Sequence, residues 1–216
     1  VLAAARRVEH LVDAVDLNLG CPQNIAKRGR YGAFLLEDTA AVVAIIAKLH
    51  AELAVPVTAK IRILPTWEQT ISTVLAIQAA GASAITVHGR TRGNMKQAIT
   101  AVDWDVIARI KAHPDVRVPI IVNGGIACYE DVARCLEYTR CDAVMASEGL
   151  LENPGLFSNQ IHTPTGVRHD SLDIAQAYAR LAEKWRADHG AFPSPLLCNR
   201  THDDGTRRSS LPPPTH

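Results

Sequence analysis

Cys21 stands in the run Asn18-Leu19-Gly20-Cys21-Pro22, directly behind an apolar stretch. A thiol held in glycine and proline turn geometry can act as nucleophile or as acid, and near neutral pH most of a free thiol keeps its proton. The same sulfur can equally be a small buried hydrophobe. Lys60 sits among apolar neighbours in VTAKIRI. A lysine so placed either snorkels to solvent or meets an anionic partner. A reduced flavin is one such partner, because negative charge gathers near N1 and O2 of its ring.

His88-Gly89-Arg90-Thr91 and Asn123-Gly124-Gly125-Ile126 each follow a further apolar run. A histidine can donate to a carbonyl or ring nitrogen, and an arginine can hold a phosphate or a substrate carbonyl. Two consecutive glycines let backbone N–H groups approach a phosphate closely, although the same pair also makes an ordinary turn.

The elements that must position these residues alternate in kind. Short continuous apolar runs lie at 15–19, 57–63, 84–88, 119–122 and 143–146, as strands buried on both faces should. Helical patterns lie between them at 39–53, 67–80, 103–111 and 130–137. Thr66 and Gln69 have capping-box spacing before the second, and Gly81 follows it as a C-cap. Strand–helix units of roughly 30 residues predict a parallel α/β sheet. The chemical residues fall behind four successive strands. That spread favours one rim of a (β/α)8-type barrel over the single switch point of an open sheet. Five strands are visible, so about three of the barrel's eight are expected before residue 1.

Composition narrows the class. A formal net charge of +1 excludes a global basic field, so any nucleic-acid surface must be a local patch. No run of about 18 apolar residues is present to span a membrane. The start lacks signal-peptide organisation. Five cysteines, Cys21, Cys128, Cys135, Cys141 and Cys198, make an odd set without a CxxC pair. Free thiols in a reducing compartment, cytoplasm or nucleus, and no metal site are expected. A helix is predicted over 171–188. From about residue 199 breakers dominate, and a disordered tail is expected, with Arg200, Arg207 and Arg208 as its basic residues.

Taken together, DLNLGCPQ with KRGRYGAFLL, VPVTAKIR, ITVHGRTR, VPIIVNGGI and DAVMASEGLLENPGLF resemble the tRNA-dihydrouridine synthase family in order and spacing. The likeness covers roughly residues 1–160 and is strongest to the eukaryotic 16/17 branch. It implies an FMN-binding barrel followed by a helical tRNA-binding domain, here reduced to 161–198, with 199–216 as the tail. It also implies reduction of the uridine C5–C6 double bond in the tRNA D-loop, with NADPH as reductant. Cys21 would be the acid that protonates C5. Asn18, Lys60 and His88 would contact flavin, and Asn123, Gly124 and Gly125 its phosphate. Arg62 and Arg90 would line the substrate side, and the loop residues Lys27, Arg28 and Arg30 would meet tRNA phosphates.

The family pattern is not matched everywhere. Many members carry Gly-Arg in the last strand loop, where this chain has Ser147-Glu148, followed by Gly149. A glutamate side chain cannot donate to a phosphate, so the resemblance leaves only the backbone N–H groups of Ser147, Glu148 and Gly149. Two other readings stay open: an FMN barrel acting on a free pyrimidine, and a catalytically inactive truncated isoform binding RNA or a partner.

Overall fold

Each apolar run pairs in parallel with the next. A computed structural model describes residues 1–93, 102–157 and 171–190. Its strands are β1 (Val15–Asn18), β2 (Val57–Arg62), β3 (Ile85–His88), β4 (Ile120–Asn123) and β5 (Ala143–Met145). They form one sheet in the order β1-β2-β3-β4-β5. Parallel neighbours joined by right-handed crossovers in unbroken order place every connecting helix on the same face. That is the order of a barrel wall, with no switch point. The fold is a partial (β/α) barrel.

Helix α1 (Leu2–Val8) precedes β1, the crossovers hold α2 (Asn24–Gly29), α3 (Thr39–Glu52), α4 (Trp67–Ala79), α5 (Trp104–Lys111) and α6 (Tyr129–Thr139), and α7 (Glu148–Glu152) follows β5. Their starts follow capping chemistry. Asp38 accepts from Ala41 N, Thr66 from Gln69 N and Asp103 from Val106 N, each satisfying one orphan donor of a first turn. Ile46, Leu49, Val74, Ile77, Ile107 and Ile110 then bury completely against Val57, Ala59, Ile61, Ile85, Val87, Ile120 and Val122 of the sheet. Each such side chain contributes about 1.5–3 kcal/mol of transfer free energy, before ordering costs.

Strand periodicity decides what faces the other way. In β2 the residues alternate buried and half-buried. Val57, Ala59 and Ile61 meet the helices, while Thr58, Lys60 and Arg62 face the opposite, inner side. Burial on both faces, expected of every strand, therefore needs correction at the edges. Asp16 and Asn18 of β1 are exposed, and β5 is only half-buried. The inner face is polar along its rim, and β1 has β2 as its one described neighbour.

Two compact units divide the chain, Val1–Arg168 and His169–His216. The second contains α8 (Ser171–His189), where the periodicity predicts it. Cys198 and the tail arginines lie outside the described residues. Among the described residues no helix is long and apolar enough to cross a membrane.

Candidate functional site

Register alone brings three of the chemical side chains into one row. Arg62 pairs with His88, and His88 with Asn123, whose partner on β5 is Met145. All four stand at strand C-terminal ends on the inner face. Lys60 lies two residues earlier on the same face of β2, in register with Asn18.

The Cys21 turn is clasped from two sides. Arg62 Nε donates to the Gly20 carbonyl at 2.7 Å, and Ala33 N donates to the Cys21 carbonyl at 2.9 Å. Gly32 makes the second contact possible. Its φ is +61°, and a Cβ there would sit 2.6 Å from the Cys21 carbonyl oxygen, so only glycine fits. Asn18 is exposed, and its Oδ1 accepts from Gly20 N at 3.0 Å. The Lys60 ammonium lies over the same turn, 3.5 Å from where a Gly20 Cβ would be. Cys21 itself is a half-buried free thiol.

Cations predominate at this rim, with Asp16 and Glu148 as its carboxylates. Burial lowers the Lys60 ammonium, repulsion from Arg62 lowers it further, and Asp16 works in the other direction. Burial followed by Arg90 lowers Arg62, with Cys21 opposing. Burial first, then the Arg62, Lys60 and Arg90 charges, pushes His88 down to about 4. His88 is therefore neutral near pH 7, with one donor and one acceptor nitrogen. Among the described residues Lys60 makes no ion pair. A concentration of cations beside a neutral imidazole suits an anionic ligand.

The space for such a ligand is a cavity of about 270 Å³ lined by Arg62, His88, Arg90 and residues 123–126 and 146–149. Gly124 and Gly125 turn through φ values of +97° and +77°, and a Cβ on Gly124 would meet the His88 ring at 3.2 Å. Asn123 Nδ2 donates to the Met145 carbonyl at 3.0 Å, tying the turn to β5. Ser147, Glu148 and Gly149 border the cavity at the start of α7. The backbone N–H groups there precede the first intrahelical bond.

Several expected positions come out differently. Lys27 and Arg28 belong to helix α2 rather than to a loop, and Arg30 caps it with φ +52°. All three are exposed and none lines the cavity. Their sequence follows Pro22 with no breaker until Gly29, which lets a helical turn form. Arg62 borders the cavity but spends two N–H groups on backbone carbonyls, those of Gly20 and Thr91. Two contributors escaped sequence reading. Trp104 donates through Nε1 to the Gly124 carbonyl. Arg92 lies over the Phe34 ring at 4.5 Å and pairs with Glu37. An indole behind an N-cap reads as a core residue, so nothing local marked Trp104.

The dihydrouridine synthase (Dus) family profile matches residues 1–188. The chain belongs to the dihydrouridine synthase family. Similar members include the tRNA-dihydrouridine(16/17) synthases of Saccharomyces cerevisiae, 45% identical over 158 residues, and Schizosaccharomyces pombe, 43% over 157. Each alignment takes in 73% of this chain, but 37% and 39% of the respective relative. The (16/17) synthase-like protein of Rattus norvegicus is 39% identical over 81% of this chain and 40% of its own. The chain thus spans about two fifths of the length of these relatives. Among solved structures, a phosphonopyruvate hydrolase complex with oxalate and Mg++ superposes with a TM-score of 0.52 at 13% identity. It covers 91% of this chain and 82% of that one, a likeness of fold alone.

Proposed function

We propose that these residues form the flavin and substrate rim of an FMN-dependent tRNA-dihydrouridine synthase that reduces D-loop uridines with NADPH. One observation carries the reading: the Cys21 turn, Lys60, Arg62, His88 and the turn at 123–125 share one rim, where Arg62, His88 and that turn line a cavity together with Arg90 and Glu148. Relatives in the family are named tRNA-dihydrouridine(16/17) synthases [NAD(P)(+)], which supports the tRNA substrate and a nicotinamide reductant.

The residues fit FMN. Gly124 and Gly125 give a bare backbone turn at positive φ, where a Cβ would press on His88 or Trp104, and the N–H groups of Ser147, Glu148 and Gly149 would complete a phosphate site. Lys60 and neutral His88 would face the isoalloxazine ring, with Asn18 beside it. When bound, the reduced cofactor supplies the hydride that adds to uracil C6.

The chain's own groups then manage charge and protons. Hydride addition at C6 leaves enolate-like charge on C4=O and C5 of the uracil. Cys21 holds a proton on sulfur for C5, general acid catalysis with a typical gain of about 10²–10⁴-fold. Arg62 holds the Cys21 turn in place, and Arg90 borders the substrate side. The target uracil must leave its stack to reach this rim. Exposed Lys27, Arg28 and Arg30 on and after α2 would meet tRNA phosphates. Residues 161–198, which include α8, are proposed as a remnant of the helical tRNA-binding domain. An intracellular location, cytoplasm or nucleus, follows from a tRNA substrate.

The test is dihydrouridine mapping in tRNA from cells lacking the full-length gene product, with re-expression. Loss at D-loop positions, restored by the gene, is expected. An unchanged map overturns the reading. Turnover of free uracil derivatives without tRNA would move the assignment to a free-pyrimidine dehydrogenase.

A further inference from the structure

We infer that Trp104 is a positioning residue for the phosphate cradle, its indole N–H setting the direction in which the Gly125 N–H points; this rests on the FMN reading above. Trp104 Nε1 donates to the Gly124 carbonyl at 3.2 Å. In a planar trans peptide the carbonyl and the following N–H point in opposite directions. Drawing the Gly124 oxygen toward the indole therefore turns the Gly125 N–H away from it. The two sides of that peptide are different places. Trp104 lines a neighbouring cleft with Val102, Asp103, Asp105 and Tyr138, whereas Gly125 lines the cationic cavity. Among the described residues the Gly125 N–H has no acceptor.

The indole is itself fixed. A Cβ on Gly125 would lie 3.0 Å from Trp104 Nε1, so ring and turn are in close contact. Asp103, one residue earlier, caps α5 through Val106 N, and its own N–H donates to the Gly89 carbonyl at 2.8 Å. One short strut thus holds the turn behind β3 and the turn behind β4. The restraint matters because the peptide it holds is flanked by glycine on both sides. Rotating that peptide changes only ψ of Gly124 and φ of Gly125, which glycine permits in either sense. The rotated peptide would present a carbonyl oxygen to the anion in place of a donor.

Trp104→Phe in the 216-residue chain keeps an aromatic ring and removes the donor. Fluorescence titration gives dissociation constants for FMN and riboflavin, which differ only by the phosphate. FMN is expected to bind about tenfold more weakly, with riboflavin unchanged within about twofold. A variant that keeps the wild-type preference for FMN over riboflavin overturns the inference and leaves the FMN reading intact. A wild-type chain with no such preference removes the phosphate cradle, and this inference with it. Where the phenylalanine variant does not fold, benzothienylalanine at position 104, an isostere with sulfur in place of N–H, makes the same comparison.

Discussion

Arg62 Nε reaches the Gly20 carbonyl oxygen across 2.7 Å, so a side chain of β2 braces the turn that carries Cys21. Its Nη1 donates to the Thr91 carbonyl at 3.2 Å, which draws the loop behind β3 into the same brace. Two loops of the rim, behind β1 and behind β3, thus meet at one guanidinium of β2. Arginine suits the task because its planar fork offers several donors at fixed angles and keeps its charge when partly buried.

Arg62→Lys tests the brace. Lysine retains the charge but cannot serve both carbonyls with the same geometry. Each lost bond is worth about 1 kcal/mol. Dihydrouridine formation is expected to fall about tenfold or more, with faster amide exchange at Cys21 and Ala33. Unchanged exchange and turnover would reduce Arg62 to a source of positive charge.

Cys21→Ala separates acid from scaffold. The Gly20 and Cys21 carbonyls that hold the turn are backbone groups, so alanine keeps their partners. Reduction of bound flavin by NADPH should proceed as in wild type while dihydrouridine formation drops about 10²–10⁴-fold. Stopped-flow flavin absorbance and product mapping measure the two halves separately. Loss of flavin binding in this variant would mean the thiol is structural.

His88 gives the fold an acid-side weakness. Its imidazole is held near 4 in the fold against 6.5 when unconstrained. Between those values the unfolded chain binds the proton and the folded chain does not, so stability rises with pH across that window. Acidification from pH 7 toward 4 is expected to lower the melting temperature, and His88→Gln to flatten that slope. An anion in the cavity offsets the Arg62, Lys60 and Arg90 charges. Inorganic phosphate should therefore raise the His88 pKa in an NMR titration, and an unmoved resonance would place the anion elsewhere.

The sheet order was legible because each strand announces itself as an apolar run bounded by turn residues. One helix start was legible through Thr66, whose side chain does what its type suggests, whereas the caps at Asp38 and Asp103 emerge only in the fold. Asn123, Gly124 and Gly125 could be singled out by type and spacing. Arg62 could not be read fully. Its position on the rim follows from β2 periodicity, but its carbonyl partners lie 42 and 29 residues away in sequence. Trp104 escaped for the same reason, since Gly124 is 20 residues distant and no local pattern encodes that hydrogen bond. The helical state of Lys27 and Arg28 was missed because a run of only six residues is too short for periodicity to register.

Asp142→Ala distinguishes damage to the barrel from damage to its rim. Asp142 lies just before β5, and its Oδ2 accepts from Ile120 N at 2.7 Å and from Lys111 Nζ at the same distance. Burial alone would raise this carboxyl, yet the Lys111 and Ile120 hydrogen bonds hold it below the usual range. The ion pair is 41% exposed on the Asp142 side, so little stability rests on it. The Ile120 N–H is another matter, because Ile120 is fully buried and truncation leaves that donor unpaired. A loss of about 1–2 kcal/mol is expected, seen as a lower denaturation midpoint. Ile120 opens β4 at the end opposite the Asn123 turn, so the FMN-to-riboflavin affinity ratio should stay at its wild-type value. A changed ratio would mean that the cradle depends on the whole strand rather than on the local contacts of Trp104, His88 and Met145.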